Sequence, residues 1–181
     1  MSAQIMDSLE NQKNTYDIIH VEGGQLYDIK QSGVKVTLHP MCWRGYFGEY
    51  MLREKQLYLH NLFVHSDEKC PSVNNVTVSN RLGILSDFKH YGRVDIRMDF
   101  TGSLIIAKDY LKDYYDCMGC QNAILYETVE ELILNNGVVT DKVDYSSKIK
   151  EIREEYGNSR YSEEQKNEIE KKVKKLFYQK Q

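Results

Sequence analysis

The sequence predicts an α+β fold: an antiparallel β-rich body built of successive hairpins, followed by two C-terminal α-helices. Three observations carry this reading. Apolar and polar residues alternate with period two through much of residues 16–143, as the side chains of a half-buried strand do. Turn dipeptides, Gly23-Gly24 and Asn136-Gly137 among them, separate those runs. From Asp144 the period changes to 3.6, the spacing of one helical face. Strands followed by helices, rather than alternating with them, give the segregated arrangement.

The elements follow in chain order. Residues 1–15 read as a flexible N-terminal segment. Tyr16 to Glu22 and Leu26 to Ile29 read as strands joined by a tight Gly23-Gly24 hairpin, because glycine reaches the positive φ such turns need. Val34 to Leu38 is a further short strand. Trp43 to Leu62 then specifies a hairpin. In its first arm Tyr46, Glu49, Met51 and Arg53 are expected to face away from Phe47, Tyr50 and Leu52. The polar Arg53-Glu54-Lys55 turns the chain, and in the returning arm Leu57, Leu59 and Asn61 alternate with Tyr58, His60 and Leu62. Gly45 and Gly48 weaken a strand interior, so they mark a bulge or a place where a ring or backbone packs closely.

This hairpin resembles small bacterial proteins of unknown function that carry a Trp-Arg-Gly-Tyr strand followed, after a polar turn, by a Leu-Tyr-Leu strand. Phe100-Thr101-Gly102-Ser103-Leu104-Ile105-Ile106 is similar to a later strand of the same proteins. The chain departs from them in having Tyr50 where they carry a second Trp, and Glu54-Lys55 where they carry an Asp-Gly turn. The resemblance implies a β-rich fold and a bacterial origin, and it assigns no catalytic residue.

Val76 to Ser79 reads as a short strand, and Val94 to Lys108 as a strand or a bent pair. Ala123 to Glu127 and Glu131 to Leu134 look extended. Asn136-Gly137, between Leu132-Ile133-Leu134 and Val138-Val139, marks a hairpin. In the helical region Ile149, Ile152 and Tyr156 share a face, with Gly157 placed to end the helix in a left-handed conformation. Ser162 and Gln165 have the spacing of a capping box, and Ile169, Val173, Leu176 and Phe177 form an apolar stripe behind it.

Length and composition bound the class. A chain of 181 residues suits a single domain, 1–181, with its β body at 16–143 and helical extension at 144–181. Mean hydropathy is −0.60, and no run of eighteen apolar residues occurs, which argues against a membrane span. No basic region followed by an apolar core opens the chain, so a cytoplasmic location is expected. The formal net charge of −3 gives no general attraction to nucleic acid. Residues 144–181 hold ten Lys/Arg against eight Asp/Glu, which leaves the β body acidic.

Candidate chemistry is sparse. His39 and Cys42, with Cys117 and Cys120, supply a His-x-x-Cys and a Cys-x-x-Cys, together the four soft ligands of a tetrahedral zinc site. The same residues also read as unconnected reduced thiols and a hydrogen-bonded histidine. No nucleophile elbow, phosphate loop or dinucleotide glycine pattern is present. His60, Asp99 and Tyr114 are the candidates for an active site assembled across strands. Fourteen tyrosines stand out, since tyrosine joins a large apolar surface to a polar tip; AT-rich coding also raises tyrosine. Tyr110, Asp113, Tyr114, Tyr115 and Asp116 form an acidic aromatic cluster able to grip a basic protein partner and to repel phosphates. The reading is a non-catalytic bacterial binding module of the immunity or antitoxin kind, with no cofactor; a zinc-stabilised β module and an enzyme are the alternatives.

Overall fold

The computed structural model describes residues 4–80, 83–111, 122–157 and 161–178. Its frame is set by apolar runs too short for helices and rich in β-branched and aromatic residues. These form nine strands: β1 (Ser8–Asn11), β2 (Asn14–Glu22), β3 (Tyr46–Arg53), β4 (Gln56–Val64), β5 (Ser79–Asn80), β6 (Lys89–Arg97), β7 (Gly102–Tyr110), β8 (Tyr126–Asn135) and β9 (Val138–Asp144). Two helices follow, α1 (Ser146–Tyr156) and α2 (Glu163–Tyr178). All nine strands belong to one sheet of order β3-β1-β2-β7-β8-β9-β4-β6-β5. Pairing is antiparallel throughout except between β1 and β3. The α+β class is therefore as the sequence predicts.

The sheet curls on itself. Besides β1, β3 pairs with β4 along its whole length, and β4 meets β9 at Gln56 and Val138. Backbone hydrogen bonds from Leu57 N to Gly137 O (2.8 Å) and from Val139 N to Lys55 O (2.9 Å) complete the closure. The order β3-β1-β2-β7-β8-β9-β4 is thus a ring, closed between β9 and β4 at their Gln56 and Val138 ends, with β6 and β5 extending from β4 outside it. Leu9, Leu57, Leu59, Leu62, Tyr91, Leu104, Ile106 and Leu132 fill its interior. Each contributes on the order of 1.5–3 kcal/mol or more on burial.

One side of the ring is covered. On β7, Leu104 and Ile106 point inward while Ile105 and Ala107 point outward, yet all four are buried. The outward pair packs with Val129 of β8 beneath Ile149 of α1 and Ile169, Val173 and Phe177 of α2. Both helices therefore dock within this chain, along the stripe the sequence predicts. Ser162 accepts from Gln165 N at 3.2 Å and Gln165 Oε1 accepts from Ser162 N at 2.9 Å, the reciprocal capping box. Gly157 ends α1 at positive φ, but its ψ of −176° is extended rather than left-handed helical.

Several elements differ from expectation. Ser8–Asn11, within the segment read as flexible, is β1, inserted between β2 and β3. Gly23 and Gly24 do adopt positive φ, yet no hairpin forms: β2 pairs with β1 and β7, and Leu26 to Ile29 leads into a single 3₁₀ turn, Ile29–Ser32. Val34 to Leu38 is irregular, tied by Thr37 N to His65 O. Ala123–Leu125 is a 3₁₀ turn, capped by Asn122, and the strand starts at Tyr126. Val94 to Lys108 resolves as two strands that do not pair with each other, β6 and β7. Tyr46 faces the interior with Tyr50, opposite to its expected side, because residues four apart on a strand share a face; Asn61 faces outward because the extra residue His60 in β4 shifts the phase.

Candidate functional site

Tyr110 ends β7 and opens the segment that carries the predicted acidic aromatic cluster. It is 39 % exposed and meets Tyr126 edge to face, with ring centroids 5.3 Å apart. The two rings are brought together because Tyr110 and Tyr126 are register partners of β7 and β8. Beside them lies a cleft of about 320 Å³, lined also by Lys13, Asn14, Thr15 and Asp17 at the β1–β2 turn and by Lys108 and Asp109.

The cleft is polar and internally braced. Tyr126 donates its hydroxyl proton to Asp17 Oδ2 at 2.8 Å; burial first, then this bond to a carboxylate, pushes the Tyr126 phenol far above its ordinary value. Lys108 Nζ donates to Asn14 Oδ1 at 3.2 Å, stands 3.6 Å from Asp109 Oδ2 and lies over the Tyr16 ring at 5.7 Å. Thr128 donates to Asp109 at 3.3 Å. An exposed tyrosine flanked by a carboxylate, over a cleft with a fixed aromatic wall, can seat a side chain that combines a positive charge with an apolar stem.

Of the predicted partner-binding residues, Tyr110 is placed at this rim, while Asp113, Tyr114, Tyr115 and Asp116 lie outside the described residues. Asp17, Lys108 and Tyr126 escape the sequence reading. Asp17 and Tyr126 are 109 residues apart, and only the pairing of β2 and β8 with opposite sides of β7 brings them together.

The predicted metal ligands are half described. Cys117 and Cys120 lie outside the described residues. Cys42 is 2 % exposed and donates its thiol proton to Tyr46 O at 3.1 Å. Burial first of all pushes this thiol above its ordinary value. His39 Nδ1 accepts from Met41 N at 3.2 Å, which puts the neutral ring's proton on Nε2, 3.4 Å from Asp87. In that tautomer the imidazole offers no lone pair to a metal. Among the described residues no group of three or more ligating side chains is arranged to hold an ion.

Of His60, Asp99 and Tyr114, the candidates for a scattered active site, only His60 and Asp99 are described, and no hydrogen bond or ion pair joins those two. Tyr114 lies outside the described residues, and Asp99 is exposed, 4.0 Å from Arg97. His60 instead finds Asp95, with Nδ1 donating to Oδ1 at 2.7 Å.

The fold and this rim define an α+β protein in which a closed β ring, covered on one side by two helices, presents a small polar cleft at one end. Compared with protein-family models, curated proteins and solved structures, the chain matches none.

Proposed function

We propose that the chain is a non-catalytic bacterial protein-binding module, of the immunity or antitoxin kind, that covers a basic surface of its partner. The observation that carries this is Tyr110, an exposed aromatic beside Asp109 at the mouth of a polar cleft, at the start of a segment whose sequence adds Asp113, Tyr114, Tyr115 and Asp116. An exposed aromatic anchor with carboxylates beside it is what a protein interface uses for affinity and partner choice. The acidic β body supports a basic partner. Free thiols at Cys42 and Cys70 support a reducing, cytoplasmic setting. No helix among the described residues is long and apolar enough to cross a membrane.

The test is capture of the tagged chain from its native host, mass spectrometry of what accompanies it, and titration of the purified pair. A stoichiometric basic protein is expected. Tyr110→Ala and the double reversal Asp113→Lys with Asp116→Lys should each weaken it at least tenfold, about 1.4 kcal/mol. A chain that purifies alone, or a partner indifferent to all three changes, overturns the reading.

A further inference from the structure

Away from the cleft, on the outward faces of β3, β4 and β6, two backbone irregularities meet. Glu49 pairs with Asn61 and Tyr50 with Leu59, so His60 is an extra residue in β4. On the other side, Leu59 pairs with Ile96 and Asn61 with Gly92, so β6 carries Arg93, Val94 and Asp95 opposite that single histidine. Arg93 at φ 58° and Asp95 at φ 46° are both left-handed. The result is a His60–Asp95 pair at 2.7 Å, to which Arg53 adds a guanidinium bond on the same carboxylate oxygen. Slight burial would raise the Asp95 carboxyl, but the bonds from His60 and Arg53 outweigh it and hold the group below its ordinary value.

The arrangement is held from behind. Asn61 Oδ1 accepts from the strained Arg93 N at 3.0 Å, and its amide donates to Glu49 at 2.6 Å. Arg53 lies over the Tyr58 ring at 4.9 Å. Arg97, the register partner of Tyr58, donates to Gln56 Oε1 at 3.1 Å. Stability does not explain this. Left-handed backbone at residues other than glycine costs free energy, and exposed ion pairs return little of it. Paired bulges that re-aim a histidine and a carboxylate onto an open face are the kind of irregularity sheets keep where a ligand binds.

We propose that this face binds a small phosphate-bearing ligand, with Arg53 and Arg97 on either side of Tyr58 donating to its oxygens and His60 Nε2 accepting from a phosphate hydroxyl. Asp95 accepts the Nδ1–H of the His60 ring, so Nε2 carries the lone pair and is the acceptor left to the ligand; among the described residues nothing hydrogen-bonds it. The guanidinium N–H groups that Arg53 and Arg97 do not give to Asp95 and Gln56, together with an imidazole acceptor, suit a partly protonated tetrahedral oxyanion, which accepts from several directions and donates once, better than a planar carboxylate. In the ring order β3 and β4 lie across from β7 and β8, so this site and the Tyr110 rim are separate and fail separately.

The experiment is titration of the full chain with inorganic phosphate and pyrophosphate, at matched ionic strength against chloride and acetate. Isothermal calorimetry and the NMR signals of the His60 ring and the Arg53 and Arg97 side chains are the readouts. Saturable phosphate or pyrophosphate binding that shifts these signals is expected. His60→Gln, Arg53→Gln and Arg97→Gln should each weaken it about tenfold, the loss of one charge-assisted hydrogen bond, while Lys150→Gln on α1 leaves it unchanged. Circular dichroism checks that each variant is folded. Absence of saturable binding, equal binding of acetate, or indifference to all three substitutions overturns the proposal.

Discussion

Gly137 shows how much of this fold rests on one residue without a side chain. It sits at φ 77°, donates its N–H to Phe100 O at 2.7 Å and accepts from Leu57 N at 2.8 Å, so it both turns the β8–β9 hairpin and joins that hairpin to β4. A Cβ there would collide with Met98 O and the Gln56 amide. Gly137→Ala is therefore expected to destabilise the protein by more than about 1 kcal/mol, since strain and collision act together. Asn136, at φ 48°, already occupies a left-handed turn position, so Asn136→Gly should change stability by only a few tenths. Urea unfolding of the two variants checks the contrast, and equal midpoints would refute it. Asn136-Gly137 was legible in the sequence as a turn. Its contact with Met98 was not, because nothing local to the turn encodes which strand lies beneath it.

At the scale of elements, the helices were legible to within a few residues because their apolar stripe and capping box are local patterns. What fixes α1 on the sheet was not. Arg153, 7 % exposed, donates Nε to Ile124 O at 2.8 Å and its guanidinium to Tyr126 O. It thereby satisfies two carbonyls where the chain enters β8. A charged residue in a helix reads as solvent-facing, and only the docked geometry shows it serving buried backbone. Arg153→Ala should cost about 1–3 kcal/mol for each carbonyl left unpaired. Ser162→Ala, which removes one exposed cap, should cost about 1 kcal/mol. Thermal or urea melts will rank them, and a cap loss larger than the arginine loss would contradict this account. Part of the strand phase failed in the sequence reading for a related reason: bulges at Ile18/His20 and at His60 change the alternation, and Gly48 and Gly92, which lie beside the second on the facing strands, do not reveal which strand carries the extra residue.

At the scale of the whole molecule, the abundant tyrosines are in large part core residues. Tyr16, Tyr27, Tyr46, Tyr50, Tyr91, Tyr126, Tyr145 and Tyr161 are all buried, several with their hydroxyls bonded inside. Burial first, then the hydrogen bond to Glu131, pushes Tyr145 up to about 12, and Tyr27, Tyr46, Tyr50, Tyr91 and Tyr126 are also raised. The sign follows from linkage. Below about pH 10 these phenols are neutral in both states; above it the unfolded chain ionises first, so stability falls as pH rises toward the folded values. Urea midpoints measured between pH 8 and 12 should stay level and then drop from about pH 10. Tyr145→Phe should make that drop shallower, whatever it does at pH 8. A flat profile to pH 12 would show that the phenols are not ionising differently in the two states.

The sequence by itself determined the α+β class, the β3–β4 and β8–β9 hairpins, the capping box and the stripe by which α2 docks. Each depends on neighbours within a turn or two of chain, where periodicity and backbone preference act directly. Only the tertiary structure decided that β1 joins the sheet in parallel with β3, that the sheet closes into a ring, and that Asp17 meets Tyr126 and His60 meets Asp95. Those contacts span tens of residues. They arise from burying one shared interior and from the bulges needed to close it, and no single segment carries that information.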